Sequence, residues 1–273
     1  GQVSLDWDIF SPLVRQCTVM LSTDDPYIPY NDAVKYFKKY IPDCQLETFI
    51  DKGHFNIASG CLELPEMFDY LKPTRYLIFD YDGVLADTFA AVCESRIEMG
   101  DSTSPEEAIA KTLDYANKKP YHAKGHNLTD EEIKKMHTWM DAYTQVIIHK
   151  NIQLFDDFIE EIKKIPCCKI AIVSSNARFV IEKFLAWSWL SPTHILWFES
   201  DYSKEEKIEQ ICRDRGCDIS DAYYFGDSQS DVYELQDMIT PGKLIGCGWG
   251  FSGYDALCEV MPKGCVMKEF DEI

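Results

Sequence analysis

Three strand-like runs in this sequence end on side chains that can do chemistry. YLIFDYDGVLADT (76–88) carries a mostly apolar stretch straight into Asp80, with Asp82 two positions later. KIAIVSSN (169–176) ends on Ser174, Ser175 and Asn176. AYYFGDSQSD (222–231) ends on Asp227 and Asp231, and Lys204 opens the helical text before it. Carboxylates are costly to bury, and two close together more so. A buried strand that ends on a pair of them needs a metal ion, a proton, or both. Clustered oxygen ligands suit Mg²⁺, which takes carboxylates together with substrate phosphate. A carboxylate beside such an ion can attack phosphorus. A second acid two residues on can protonate the leaving oxygen, then take a proton from water. A Ser hydroxyl and a Lys ammonium can hold the phosphoryl oxygens.

This chemistry requires the strand ends to meet at one edge, as in open α/β sheets, whose ligands bind beyond the carboxyl ends of the strands. RYLIFD (75–80) is apolar on both faces, as in a covered parallel sheet. From about residue 165, strands and helices alternate with short loops. Strands are expected at 169–175, 194–200, 221–228, 243–250 and 264–270. Helices are expected at 177–190, 204–216, 231–239 and 255–261. The pattern argues for βαβ units and a doubly wound parallel sheet. Residues 89–152 are mostly helical text, and Thr129 with Glu132 forms a capping box. Residues 1–73 read as a separate small α/β segment. It has strands at 17–23 and 45–51, helices at 31–41 and 63–71, and a break at Lys72-Pro73-Thr74 that sets the domain boundary.

The chain has 273 residues, enough for one large or two ordinary domains. Its net charge of -19 repels nucleic-acid phosphates and anionic lipid, so neither is expected as a partner. No apolar run is long enough to span a membrane. Eleven cysteines without a CxxC, and no signal peptide, point to reduced thiols and a cytoplasmic location.

FDYDGVLADT, IAIVSSN, Lys204 and GDSQSD together resemble the four motifs of the haloacid dehalogenase-like (HAD) phosphohydrolases, and IGCGWGF resembles that family's closing strand. The resemblance covers residues 75–273 and implies a Mg²⁺-dependent phosphatase for a small phosphorylated metabolite. Asp80 would be the nucleophile that forms an aspartyl-phosphate, and Asp82 the general acid/base. Ser174 and Lys204 would hold the phosphoryl group. Asp80, Asp227 and the backbone carbonyl of Asp82 would bind the metal, with Asp231 supporting Asp227 or binding through water. Ser175, Asn176 and Arg178 are further substrate-binding candidates. The insert at roughly 90–152 would be a helical cap of the first type, which closes the site and selects substrate. Within it, the basic stretch KKPYHAKGHN (118–127) reads either as a solvated loop or, through Lys124, as a contact to the substrate's far end. A sugar-phosphate mutase and a binding module with a vestigial site are the rival readings.

Residues 2–73 resemble something else: the C-terminal part of small α/β-hydrolases of the retinoblastoma-binding-protein type. STDDPYIPYNDA and DKGHFN carry the resemblance. It implies Asp25 as a triad acid, with Asp24 as a substitute, and His54 as the base. No GxSxG nucleophile elbow occurs anywhere in the sequence, so this dyad is expected to be a relic without esterase activity. The strand edges of this segment leave association, with a second copy or another partner, open.

Overall fold

The computed structural model describes residues 18–42, 44–61, 75–120, 128–165, 168–186, 188 and 190–273. The helix expected at 63–71 and Lys124 lie outside these. The chain divides into two compact units, Gly1–Pro73 and Thr74–Ile273.

In the first unit, β1 (Thr18–Ser22) pairs in parallel with β2 (Gln45–Phe49), and α1 (Tyr30–Tyr40) connects them. Parallel pairing requires a crossover, and the helix supplies it.

The second unit is built on six parallel strands in the order β10-β9-β8-β3-β6-β7. The central strand β3 (Arg75–Phe79) lies between β6 (Cys168–Val173) and β8 (Ala222–Gly226). β7 (His194–Leu196) closes one edge; β9 (Leu244–Cys247) and β10 (Val266–Met267) complete the other. Alternate residues of β3 serve opposite faces. Leu77 and Phe79 enter one buried core, and Ile78 enters the other. That two-sided burial explains why the strand reads as apolar throughout.

The strands at 194–200 and 264–270 are shorter than the text suggests. Their ends leave the ladder for turns, so apolar residues such as Phe198 pack against the core without strand pairing.

After β3 the chain makes a tight turn in which Gly83 has φ +71°, a conformation glycine adopts without strain. A short antiparallel pair, β4 (Ala86–Asp87) with β5 (Gln153–Leu154), marks where the chain leaves for a helical insertion and returns. The insertion holds α2 (Phe89–Glu98), α3 (Pro105–Ala116) and α4 (Asp130–Ile147). Ser104 caps α3 ahead of Pro105, and Thr129 with Glu132 forms the capping box of α4. The remaining helices are α5 (Asp156–Lys163), α6 (Arg178–Leu185), α7 (Lys204–Arg215), α8 (Gln229–Leu235) and α9 (Gly253–Val260). Ser203 caps α7 at one end, and Gly216 stops it in the left-handed conformation at the other. Among the described residues, no two cysteines are joined in a disulfide, and no helix is long and apolar enough to cross a membrane.

Candidate active site

The chain runs outward from β3, to β6 and β7 on one side, then returns to build β8, β9 and β10 on the other. The point of reversal lies at the carboxyl end of β3, where such sheets open a crevice. Asp80 sits there, and its N–H still bonds to Phe225 O at 2.9 Å, which fixes its backbone in the ladder. One carboxylate oxygen accepts the Tyr81 N–H at 2.7 Å; the other meets Lys204 Nζ at 2.5 Å. Lys204 also bonds to Asp231 Oδ1. Because Ser203 caps α7, its first residue points into the crevice. Glu234 accepts the Lys204 N–H at 2.7 Å, tying the start of α7 to α8.

Asp80, Asp227 and Asp231 offer carboxylate oxygens that all lie within 4.8 Å of one another, and all three residues are buried. Burial pushes the Asp80 carboxyl up to about 7, against the pull of Lys204. Burial, then the charges of Asp80 and Asp231, pushes Asp227 well above the usual carboxylate range. Burial works against the Lys204 charge, but Asp231 and Asp80 hold its ammonium well above the usual lysine range.

The three carboxylates and one ammonium leave two uncompensated negative charges if all are ionised, the balance a divalent cation would restore. Two further observations fit such an ion. Asp231 Oδ2 is buried without a hydrogen-bond partner among the described residues. Two glycines also crowd Asp227: a Cβ at Gly83 would fall 1.9 Å, and one at Gly250 2.4 Å, from Asp227 Oδ2. Only bare backbone can pass so close to this carboxylate.

Asp82 faces the same crevice. The Asn176 amide donates to both of its oxygens, at 3.1 and 3.0 Å. Burial raises the Asp82 pKa, and the Asn176 bonds pull against that rise.

The cavity over these residues has a volume of about 430 Å³. Asp80, Asp82, Ser175, Asn176, Lys204, Asp227 and Asp231 all line it, brought together from four separate stretches of sequence.

The structure places two of the expected residues off the cavity wall. Ser174 does not line the cavity: it is fully buried, and its hydroxyl accepts the Asn176 N–H at 3.0 Å. The neighbouring Ser175 lines it instead. Arg178, the first residue of α6, is not among the lining residues either. Its guanidinium folds back to Glu182 at 2.7 Å, one turn along the helix, and lies over the Trp197 ring at 4.6 Å. Asn176 is at the cavity, but its amide is spent on Asp82.

Sequence reasoning missed the Phe251 N–H, which donates to Asp227 Oδ2 at 2.6 Å. It also missed Glu234 and the α4 residues Met136, Trp139, Met140 and Tyr143. The α4 set had a legible signal, because positions i, i+3, i+4 and i+7 share one helical face. The backbone donor had none.

In the other unit, Asp25 and His54 do come together: Asp25 Oδ2 lies 2.8 Å from His54 Nδ1. The other Asp25 oxygen accepts the N–H groups of Tyr27 and Ile28. Asp24 is turned toward Ser22 Oγ and Gly53 N.

A family model described as haloacid dehalogenase-like hydrolase matches residues 77–236, more than half of the chain. No curated protein matches it. Among solved structures, a protein described as a predicted phosphatase from Clostridium acetobutylicum superposes with a TM-score of 0.57 at 18% identity, over 74% of this chain and 96% of that one. One described as a predicted phosphoglycolate phosphatase from Haemophilus somnus does so with a TM-score of 0.50 at 14% identity, over 73% and 96%. At such identities the likeness speaks for the fold. No comparison supports the resemblance drawn for residues 2–73. The family match over 77–236 is decisive: the chain is a hydrolase, and it belongs to the haloacid dehalogenase-like hydrolase family.

Proposed function

We propose that the chain is a Mg²⁺-dependent phosphomonoesterase that acts on a small phosphorylated metabolite through an aspartyl-phosphate on Asp80. The observation that carries this reading is the convergence of Asp80, Lys204, Asp227 and Asp231 at one strand edge, with Asp82 held beside them by Asn176. Asp80, Asp227 and Asp231 would hold the ion, and the ion would neutralise phosphoryl charge while the acceptor and leaving oxygens exchange.

Asp80 attacks phosphorus, forming the Asp80 O–P bond as the bond to the leaving oxygen breaks. Protonated Asp82 gives its proton to that oxygen. Lys204 steadies the Asp80 carboxylate and the transferring oxygens, and Ser175 offers a hydroxyl to the same group. Asp82, now ionised, takes a proton from water as that water attacks the acyl phosphate. Inorganic phosphate leaves and Asp80 is restored. The raised Asp82 pKa supports its part as proton donor. The helical insertion over the crevice would act as the cap that excludes bulk water.

The test is p-nitrophenyl phosphate hydrolysis with Mg²⁺, with EDTA, and with Asp80→Asn. Loss of activity in EDTA, and a fall of about 10⁴-fold or more in the variant, are expected. Activity that survives in Asp80→Asn sinks the mechanism. Release of inorganic phosphate separates hydrolysis from transfer to a sugar.

For residues 2–73, the Asp25–His54 pair supports a hydrolase-type acid–base dyad. No GxSxG serine occurs in these 273 residues, and no esterase activity is proposed for them.

A further inference from the structure

The cavity continues past the phosphoryl end into the helical insertion, where its character changes. Met136, Trp139, Met140 and Tyr143 of α4 present one continuous face to it. Val92 of α2 and Phe198, after β7, add to the same wall. This wall is held in place before any ligand arrives. The Trp139 and Tyr143 rings stack at 5.0 Å with 13° between their planes, and the Arg96 guanidinium lies 5.3 Å from the Trp139 ring centre.

The charges and polar groups bordering this end are already engaged. Arg96 bonds to Asp101 at 2.5 Å and to Thr112 at 3.0 Å. Lys135 pairs with Glu131 at 2.8 Å, and Tyr202 OH with His137 at 2.8 Å. Lys204, the remaining cation lining the cavity, is committed to Asp80 and Asp231. Every cation among the described lining residues therefore has a carboxylate partner. A leaving group with its own carboxylate or second phosphate would have to compete with these carboxylates for its cation. A two-carbon acid would also leave most of a 430 Å³ cavity unfilled, since volumes of about 300–1,000 Å³ suit much larger ligands.

We propose that the leaving group is a large, uncharged, largely apolar ring system, seated against the Trp139–Tyr143 wall, rather than a short phosphorylated acid. The inference rests on the phosphatase reading and deepens it. A preformed apolar wall rewards ring area directly, because little ordering remains to be paid on binding.

The test compares four substrates whose leaving oxygen is an alkoxide in every case: ethyl phosphate, 2-phosphoglycolate, benzyl phosphate and 2-naphthylmethyl phosphate. The proposal expects kcat/KM to climb from ethyl through benzyl to naphthylmethyl phosphate by about tenfold or more overall, with phosphoglycolate at the bottom. In Trp139→Ala, the naphthylmethyl-to-ethyl ratio should collapse toward one, chiefly through KM. Stoichiometric trapping of beryllium fluoride with Mg²⁺ by the same variant would report that the phosphoryl site remains folded.

A faster phosphoglycolate reaction, or a ratio unchanged in Trp139→Ala, overturns the inference and leaves the phosphatase reading standing, provided that turnover still needs Asp80. Turnover of none of the four also overturns it. Beryllium fluoride trapping by the unaltered chain then tells whether the phosphatase reading falls too.

Discussion

The two units hold two acid–base arrangements, and they differ in what surrounds the acid. Asp25 meets His54 beside a loop, with its own side chain 8% exposed and the imidazole 40% exposed. Burial alone would raise its pKa, yet hydrogen bonds from His54, Tyr27 and Ile28 hold it below the usual aspartate range. Asp80 meets Lys204 at the end of a central strand, with both side chains less than 10% exposed. There burial wins, and the carboxyl rises to about 7 even beside an ammonium. An acid held low by local hydrogen bonds is a stable anion. An acid held high by burial is poised to change partners when a cation or a phosphoryl group enters. At Asp25 hydrogen bonds outweigh burial, at Asp80 burial outweighs pairing, and each variant below tests that contrast.

After loss of the nucleophile itself, the largest effect is expected from Gly250→Ala. Its Cβ would lie 2.4 Å from Asp227 Oδ2 and 2.6 Å from the Gly83 carbonyl oxygen, and neither can yield without moving the turn after β3. Mg²⁺ affinity should fall by about 10²-fold or more, as for outer partners that position ligands, and phosphatase activity should fall with it. Calorimetric titration with Mg²⁺ checks this. Unchanged affinity would mean that the buried carboxylates are looser than the contrast requires.

Asn176→Ala should act less severely, lowering kcat by about 10–100-fold. Its amide favours the ionised form of Asp82, so removing it raises the Asp82 pKa further. In the proposed mechanism Asp82 is protonated when it serves the leaving oxygen, so the alkaline limb of the kcat/KM profile should move to higher pH. A slower enzyme with an unmoved limb would leave Asn176 a merely structural role.

Lys207 sharpens the contrast from the other sign of charge. It is fully buried, with Nζ on the Ser174 carbonyl at 2.7 Å. Burial, then repulsion from Lys204, pushes its pKa down to about 7. Between about pH 7 and the ordinary lysine value near 10.4, the unfolded chain holds a proton that the folded chain does not. Stability therefore rises with pH across that window and levels off below it. Each unit is worth about 1.4 kcal/mol. Chemical unfolding at pH 7 and 9 should show the advantage of Lys207→Met over the unaltered chain shrinking by about 2 kcal/mol. A pH-independent difference would show that Lys207 keeps its proton while buried.

How much of this was legible depended on where the signal sits in the chain. Asp80, Asp82, Lys204, Asp227 and Asp231 follow strand ends or helix starts, and βαβ alternation says where those meet. Ser174 and Ser175 show the limit. Adjacent residues at a strand end point to opposite sides, and sequence alone does not say that Ser174 is the buried hydroxyl and Ser175 the one on the cavity. The direction of Arg178 was illegible for another reason, since a long side chain at a helix start can fold onto its own helix, and Glu182 one turn on gives it a partner. The Phe251 N–H and the closeness of Gly83 and Gly250 to Asp227 belong to backbone geometry, which side-chain pattern does not encode.

The smallest effect is expected from the loop pair. Both Asp25→Asn and His54→Ala remove an interaction whose imidazole is open to solvent, where ion pairs contribute little and salt screens them. Asp25 sits below its ordinary pKa, so its contribution is present above about pH 4 and fades as pH falls through its folded value. Either variant should shift the thermal midpoint less than Lys207→Met does at neutral pH. The shift should shrink further in high salt or acid, and phosphate-ester turnover should not change. Ester hydrolysis should be absent before and after substitution. A carboxylic ester turned over by the unaltered chain and not by His54→Ala would break the comparison outright. It would require a nucleophile that His54 activates despite its exposure, and desolvation would no longer separate the reactive unit from the inert one.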